Sequence, residues 1–143
     1  MSYTTTQEAN VPVFLDSNIV LYALGDDEAK RIRASELLAA LPTVSTQVIN
    51  ECSHVLRRKY KLSVHETAAE MENVIDLVQM VGVGLPEIRI AWSLAGKYGF
   101  SHYDCLILAA ALASGCTTLY TEDMQHGQVI ENSLTLCNPF KPK

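Results

Sequence analysis

Four acidic side chains stand where burial should be costly, and they are the first pointer to chemistry. Asp16 closes the apolar run Val11 to Leu15 (VPVFL), and Asp123 follows Thr117 to Thr121 (TTLYT). Asp104 sits near the start of SHYDCLILAAALAS, residues Ser101 to Ser114. Glu51 borders the stripe Val48, Ile49, Cys52, Val55 and Leu56, roughly 100° from its centre at helical spacing. A carboxylate near a core is expensive unless it is paired or bound to a cation. Several carboxylates around one point cannot all stay ionised without counter-charge. Mg²⁺ or Mn²⁺ suits an all-oxygen site of this kind, keeping several waters and bridging to phosphates. Such an ion activates water for in-line attack on a phosphodiester and stabilises the leaving oxygen. The expected chemistry is therefore metal-assisted hydrolysis.

Each acid also has an ordinary structural role open to it. Asp16 can cap the helix that follows. Asp104 completes a Ser101-to-Asp104 capping-box spacing, with Phe100 placed to staple against Cys105. Asp123 can be a turn residue, and Glu51 can pair with Arg57 or Arg58. Four separate caps explain four such positions less economically than one shared site.

The elements that must position these acids follow from pattern. The nearly continuous apolar run before Asp16 predicts a strand covered on both faces, as in a parallel sheet. A short helix is expected over Ile19 to Leu24. Asp26 or Asp27 then caps a helix with the stripe Ile32, Leu37, Leu38 and Leu41, ended by Pro42. Val44 opens a short extended stretch, and Ser45 or Thr46 caps a helix running to about Tyr60. Ser63 and Glu66 form a capping-box pattern ahead of the stripe Val64, Ala68, Met71, Ile75 and Val78. Val81 to Leu85 (VGVGL) is expected as a strand, Pro86 as the start of a helix, and Gly99 as its stop. Val129 and Ile130 suggest a turn, and Leu134 to Cys137 a last short strand. The order β-α-α-α-β-α-α-β argues for an α/β sandwich around a mainly parallel sheet. Such sheets present ligands at the carboxyl ends of their strands, where Asp16 and Asp123 fall.

Composition narrows the rest. The chain has 143 residues, 48% of them hydrophobic, consistent with one domain over residues 1–143 and a real core. Residues 1–10 are expected to be flexible. The start, MSYTTTQEAN, has neither the basic nor the apolar region of a signal peptide, and no apolar run reaches membrane-spanning length. A cytoplasmic location without membrane contact is therefore expected. Cys52, Cys105, Cys116 and Cys137 show no metal or disulfide spacing and are expected to be reduced small hydrophobes. The net charge of −5 argues against general nucleic-acid affinity, but not against an enzyme that holds phosphates through metal ions. The basic cluster Arg57, Arg58, Lys59 and Lys61 is more simply a solvated helix face, as is Lys30, Arg31 and Arg33. His54, His65, His102 and His126 lack zinc spacing, although His102 and His126 lie close to Asp104 and Asp123 in sequence. Trp92 is expected in a core or an interface.

At these residues the sequence resembles the PIN-domain ribonucleases, in particular VapC-type toxins of bacterial toxin–antitoxin pairs. FLDSNIVLYAL resembles the first family motif, around Asp16, and STQVINECSHVLRR the second, around Glu51. SHYDCLILAAALASGCTTLYTEDM resembles the third and fourth, around Asp104 and Asp123, and the NPF of Asn138 to Phe140 resembles a common close. Ser17 stands where Thr is common, which keeps the hydroxyl, and Asn18 keeps its usual place. The resemblance implies a PIN-like three-layer α/β/α sandwich and a Mg²⁺- or Mn²⁺-dependent endoribonuclease. It implies that Asp16 and Asp104 bind metal most directly, that Glu51 and Asp123 complete the site, and that Ser17, Asn18 and Thr121 support it. It also implies an RNA substrate, a homodimer and a cognate antitoxin protein. One rival is a catalytically silent PIN-like module that binds RNA or protein. Another is a phosphatase of the haloacid dehalogenase type, which needs a second acid where this chain has Asn18.

Overall fold

Short runs of apolar and β-branched residues build a six-stranded sheet, and the longer segments between them are helical. The computed structural model describes residues 12–142. The expected flexibility of residues 1–10, and Val11 at the head of the first strand, lie outside the described residues. Among those described, the strands are β1 (Val13–Leu15), β2 (Thr43–Ser45), β3 (Gln79–Val81), β4 (Thr118–Tyr120), β5 (Val129–Ile130) and β6 (Leu134–Cys137). The helices are α1 (Ser17–Ala23), α2 (Glu28–Leu38), α3 (Thr46–Arg58), α4 (Val64–Leu77), α5 (Leu85–Tyr98) and α6 (His102–Ala113).

The strand order is β3-β2-β1-β4-β6-β5. All neighbours are parallel except β5, which runs antiparallel to β6 at the edge, with Ile130 opposite Leu134. In register, Phe14 faces Leu119 and Leu15 faces Tyr120. From β1 the chain moves outward to β2 and β3, then returns to place β4 on the other side of β1. The β1–β4 seam is thus the topological switch point, where α/β sheets open a crevice at their carboxyl ends. Phe14, Leu15, Leu119 and Leu136 are fully buried, as strands covered on both faces require. Helix α1 packs on both α2 and α3, α3 packs on α4, and α5 packs on α6. The result is a three-layer α/β/α sandwich.

The helix ends follow local chemistry. Asp27 caps α2, its carboxylate accepting from the Lys30 amide at 3.3 Å. Ser63 and Glu66 close a reciprocal capping box on α4, and Gly99 stops α5 in the left-handed region. Every residue of α6 from Cys105 to Ala111 is buried, as its all-round apolar sequence requires. The four cysteines form no disulfide among the described residues; three are buried and Cys137 is half-buried.

The extended stretch at Val44 stands as expected, as the buried three-residue strand β2. Several expectations need correction. Val81 to Leu85 is not a strand. Pairing with β2 captures Gln79–Val81 instead. The Gly84 amide donates to Glu87 Oε1 at 2.6 Å, which starts α5 at Leu85. Val129 and Ile130 form a strand rather than a turn. In α2, Ile32 is 52% exposed, because it lies ~140° around the helix from buried Leu37. Leu41 also leaves the stripe, since α2 ends at Leu38 and Leu41 turns at φ 59°; Pro42 disfavours right-handed helix at the residue before it. In α4 the inward face is Thr67, Met71 and Val74, with Val64 and Ala68 exposed. Trp92 is 59% exposed and belongs to no core. Among the described residues no helix is long and apolar enough to cross a membrane.

The two residues of the α2 stripe should separate sharply under substitution. Leu37→Ala is expected to cost about 2–5 kcal/mol by denaturant unfolding, as for other buried leucines. Ile32→Ala should stay within about 0.5 kcal/mol, the range for surface changes. Equal losses would contradict the observed orientation of α2.

Candidate active site

The site begins where β1 ends. The Asp16 amide donates to the Tyr120 carbonyl at 3.0 Å, which carries the β1–β4 ladder one residue further and delivers Asp16 to the crevice. Its side chain is only 3% exposed. Asp16 Oδ1 accepts from the Ser17 amide at 2.7 Å, so Asp16 is also the N-cap of α1. Oδ2 accepts from the Thr121 hydroxyl at 2.9 Å. The same hydroxyl oxygen accepts from the Asp123 amide at 3.2 Å. Thr121 therefore ties the first acid to the turn that carries the last. The capping role and the proposed chemical role of Asp16 are compatible: the cap fixes the carboxylate that a cation would meet.

Glu51 arrives from α3. Ser17 Oγ donates to Glu51 Oε1 at 2.8 Å, and Gln47 Nε2 donates to Oε2 at 2.9 Å. Gln47 lies one turn before Glu51 on the same helix face. Neither Arg57 nor Arg58 pairs with Glu51 among the described residues. Asp104 lies in the first turn of α6, its amide donating to Ser101 Oγ at 3.2 Å. Asp123 is exposed on the turn after β4.

The four acids feel one another. Burial, reinforced by the charges of Glu51 and Asp104, raises the Asp16 carboxyl to about 6 against the hydrogen bonds from Thr121 and Ser17. Burial likewise raises Asp104, opposed by the Ser101 hydroxyl and reinforced by Asp123 and Glu51. Among the described residues, no three acidic, histidine or cysteine side chains close on one point as a finished metal cage. The cluster is open and made of oxygen donors alone.

Several partners carry no signal in the sequence pattern. Glu122, next to Asp123, faces the other way: it accepts from the Tyr22 hydroxyl and from Lys30 Nζ at 2.5 Å. Partial burial would raise the Glu122 carboxyl, but these two donors outweigh it and hold it below the usual range. Lys30 is thus an ion-pair partner rather than part of a solvated basic face, and its ammonium lies 4.5 Å from the Tyr22 ring centroid. Phe140 packs edge-on against Tyr22 at 5.2 Å, which brings the chain's end to α1. Asn18 Oδ1 accepts from the Glu122 amide at 3.4 Å, while its buried Nδ2 has no partner among the described residues. His126 Nδ1 accepts from the Asn138 amide at 2.9 Å and holds the C-terminal segment. His102 lies against Tyr103.

This arrangement of sheet, switch point and acids has a family. The model of the PIN domain matches residues 13–131, and the chain belongs to the PIN domain family. Solved structures share its fold. A toxin–antitoxin complex from Klebsiella pneumoniae superposes with a TM-score of 0.69 at 17% identity, over 91% of this chain and 99% of that one. VapC20 of Mycobacterium tuberculosis, a toxin that cleaves the sarcin–ricin loop, gives 0.64 at 18% identity, over 78% and 89%. VapBC2 of Rickettsia felis, bound to a fragment of its promoter DNA, gives 0.63 at 21% identity, over 87% and 96%. At these identities the likeness is one of fold. No curated protein matches the sequence significantly.

The raised Asp16 carboxyl makes a signed prediction for the metal-free protein. The folded state keeps the Asp16 proton up to about pH 6, whereas the unfolded chain releases it near 3.8. Between those values the folded state binds more protons, so stability falls as pH rises through the window. Asp16→Asn, which keeps the shape, should therefore stabilise the protein in EDTA at neutral pH by on the order of 1–3 kcal/mol. The gain should shrink near pH 4. A variant less stable than wild type at neutral pH would show that the carboxylate is net stabilising without a cation.

Proposed function

We propose that this protein is a metal-dependent endoribonuclease, the toxin of a toxin–antitoxin pair, acting through Asp16, Glu51, Asp104 and Asp123. The observation that carries the reading is the buried Asp16 carboxylate at the sheet's switch point, pushed towards neutrality by burial and by two neighbouring acids. Buried, strongly perturbed carboxylates in a crevice cluster at functional sites. The family match, and the toxins among the solved structures of the same fold, favour nuclease chemistry over other uses of an acidic crevice.

The donor set fits Mg²⁺ or Mn²⁺: all oxygen, open to water, and rich in negative charge. Asp16 and Asp104 would hold the ion most directly, with Glu51 and Asp123 completing its surroundings. The ion, when bound, supplies counter-charge and activates water for attack on a phosphodiester. The chain's own residues do the positioning. Thr121 and Ser17 fix the two oxygens of Asp16, and Ser17 and Gln47 fix those of Glu51. Thr121 and Asn18 hold the turn that carries Asp123. A phosphatase using Asp16 as nucleophile is disfavoured, since Asn18, at the place of its general acid, is engaged with the Glu122 backbone. In this reading the chain acts as one catalytic domain in the cytoplasm, forms a homodimer and is silenced by a cognate antitoxin. The antitoxin complexes among its structural relatives support the last point.

Purified protein incubated with total RNA should yield discrete fragments with Mg²⁺ or Mn²⁺ and none with EDTA. Asp16→Asn and Asp104→Asn should lose more than about a hundredfold in rate, and Thr121→Val roughly 10- to 100-fold, the range for removing a partner that orients a metal ligand. If both asparagine variants cut as well as wild type, the acids are not catalytic. Metal binding without cleavage of any RNA would instead favour a silent binding module.

A further inference from the structure

Beside the carboxylates runs a groove that the proposed reaction does not yet use. Ser17 and Glu51 form its inner end, and Asn50, His54 and Val55 line it along α3. Tyr103, from the first turn of α6, closes it on the other side, and the space enclosed is about 580 Å³. Asn50 and His54 are exposed and one helical turn apart, so both present polar groups to the same space. Tyr103 is 63% exposed. A single exposed aromatic needs no explanation by itself; its position supplies one. The ring immediately precedes Asp104 and shares the groove with Glu51. His102 sits against it at 5.6 Å between ring centroids, inclined at 65°, which leaves the ring supported on one side.

An aromatic ring beside a site for phosphodiesters offers a surface on which an unpaired base can stack, whatever its identity. Side-chain amides and imidazoles beside it can reach base edges or the ribose hydroxyl. We propose that Tyr103 is the stacking platform for the base of a nucleotide flanking the scissile phosphate, with Asn50 and His54 facing that nucleotide's polar edge. The inference rests on the ribonuclease reading above and deepens it. Tyr103 sets the register of the strand over the carboxylates. Because a stacked platform needs an unstacked base, the substrate class is single-stranded or looped RNA.

The test uses an oligonucleotide carrying a mapped cleavage site, together with two versions bearing an abasic nucleotide on one side or the other of the cut. Tyr103→Ala is expected to raise KM roughly five- to hundredfold, the range for losing one base–aromatic stack. Its thermal shift on adding Mn²⁺ should equal that of wild type, because the carboxylates are untouched. Tyr103→Phe and Tyr103→Trp should restore KM. An abasic nucleotide at one of the two flanking positions should penalise wild type and add nothing to Tyr103→Ala. If Tyr103→Ala cuts with wild-type KM, or pays the full abasic penalty, the platform is overturned while the ribonuclease stands. A loss confined to kcat with a diminished Mn²⁺ shift overturns it too, since Tyr103 would then act through Asp104. If wild type cuts no RNA at all, the ribonuclease reading fails and the platform with it.

Discussion

The structure turns on the cost of putting one carboxylate at the end of a buried strand. Asp16 is almost wholly buried, and each of its contacts comes from a different part of the fold. Its amide continues the β1–β4 ladder, its Oδ1 caps α1, and its Oδ2 takes the hydroxyl of Thr121. The arrangement satisfies the backbone and orients both oxygens, yet it brings no positive charge. Burial and the charges of Glu51 and Asp104 outweigh the hydrogen bonds from Thr121 and Ser17 and leave the Asp16 carboxyl at about 6, far above an ordinary aspartate. The remaining acids increase this strain instead of relieving it, and a divalent cation is the simplest species that reverses the sign.

Nearby cations are used elsewhere. Lys30 is spent on Glu122, and Lys97 on Glu131 at the far end of α5. The adjacent pair Glu122 and Asp123 divides the labour: one acid is neutralised by Lys30 and Tyr22, the other remains exposed at the crevice. A two-residue acidic motif in the bend after β4 thus serves structure with one member and leaves the other exposed.

Much of this was legible in the residues, because it depends on local chemistry. The apolar run into Asp16, the Ser63–Glu66 capping box and the all-apolar Cys105 to Ala111 appear where short-range rules put them. The hydroxyls of Ser17 and Thr121, which the motif resemblance singled out, hydrogen-bond to Glu51 and Asp16. What local rules missed was decided by tertiary pairing. β2 and β3 are three-residue strands whose identity comes from pairing, β2 with β1 and β3 and β3 with β2, with no periodicity of their own. The inward face of α4 is set by its packing on α3, which turned Thr67 inward and Val64 outward. Gln47, Lys30 and Tyr22 are unremarkable in sequence, and only the folded chain sets them against Glu51 and Glu122.

The bond between Thr121 and Asp16 spans 105 positions of chain, and that between Tyr22 and Glu122 spans 100. Phe140 then fastens the last segment onto Tyr22. None of these contacts can exist while the chain is still being synthesised through residue 120. A nascent polypeptide carries Asp16 and Glu51 for most of its elongation without Asp123 or the hydroxyl that orients the first acid. The first acid is therefore oriented by chain more than a hundred positions away, so the crevice forms only when the two ends of the fold close on each other.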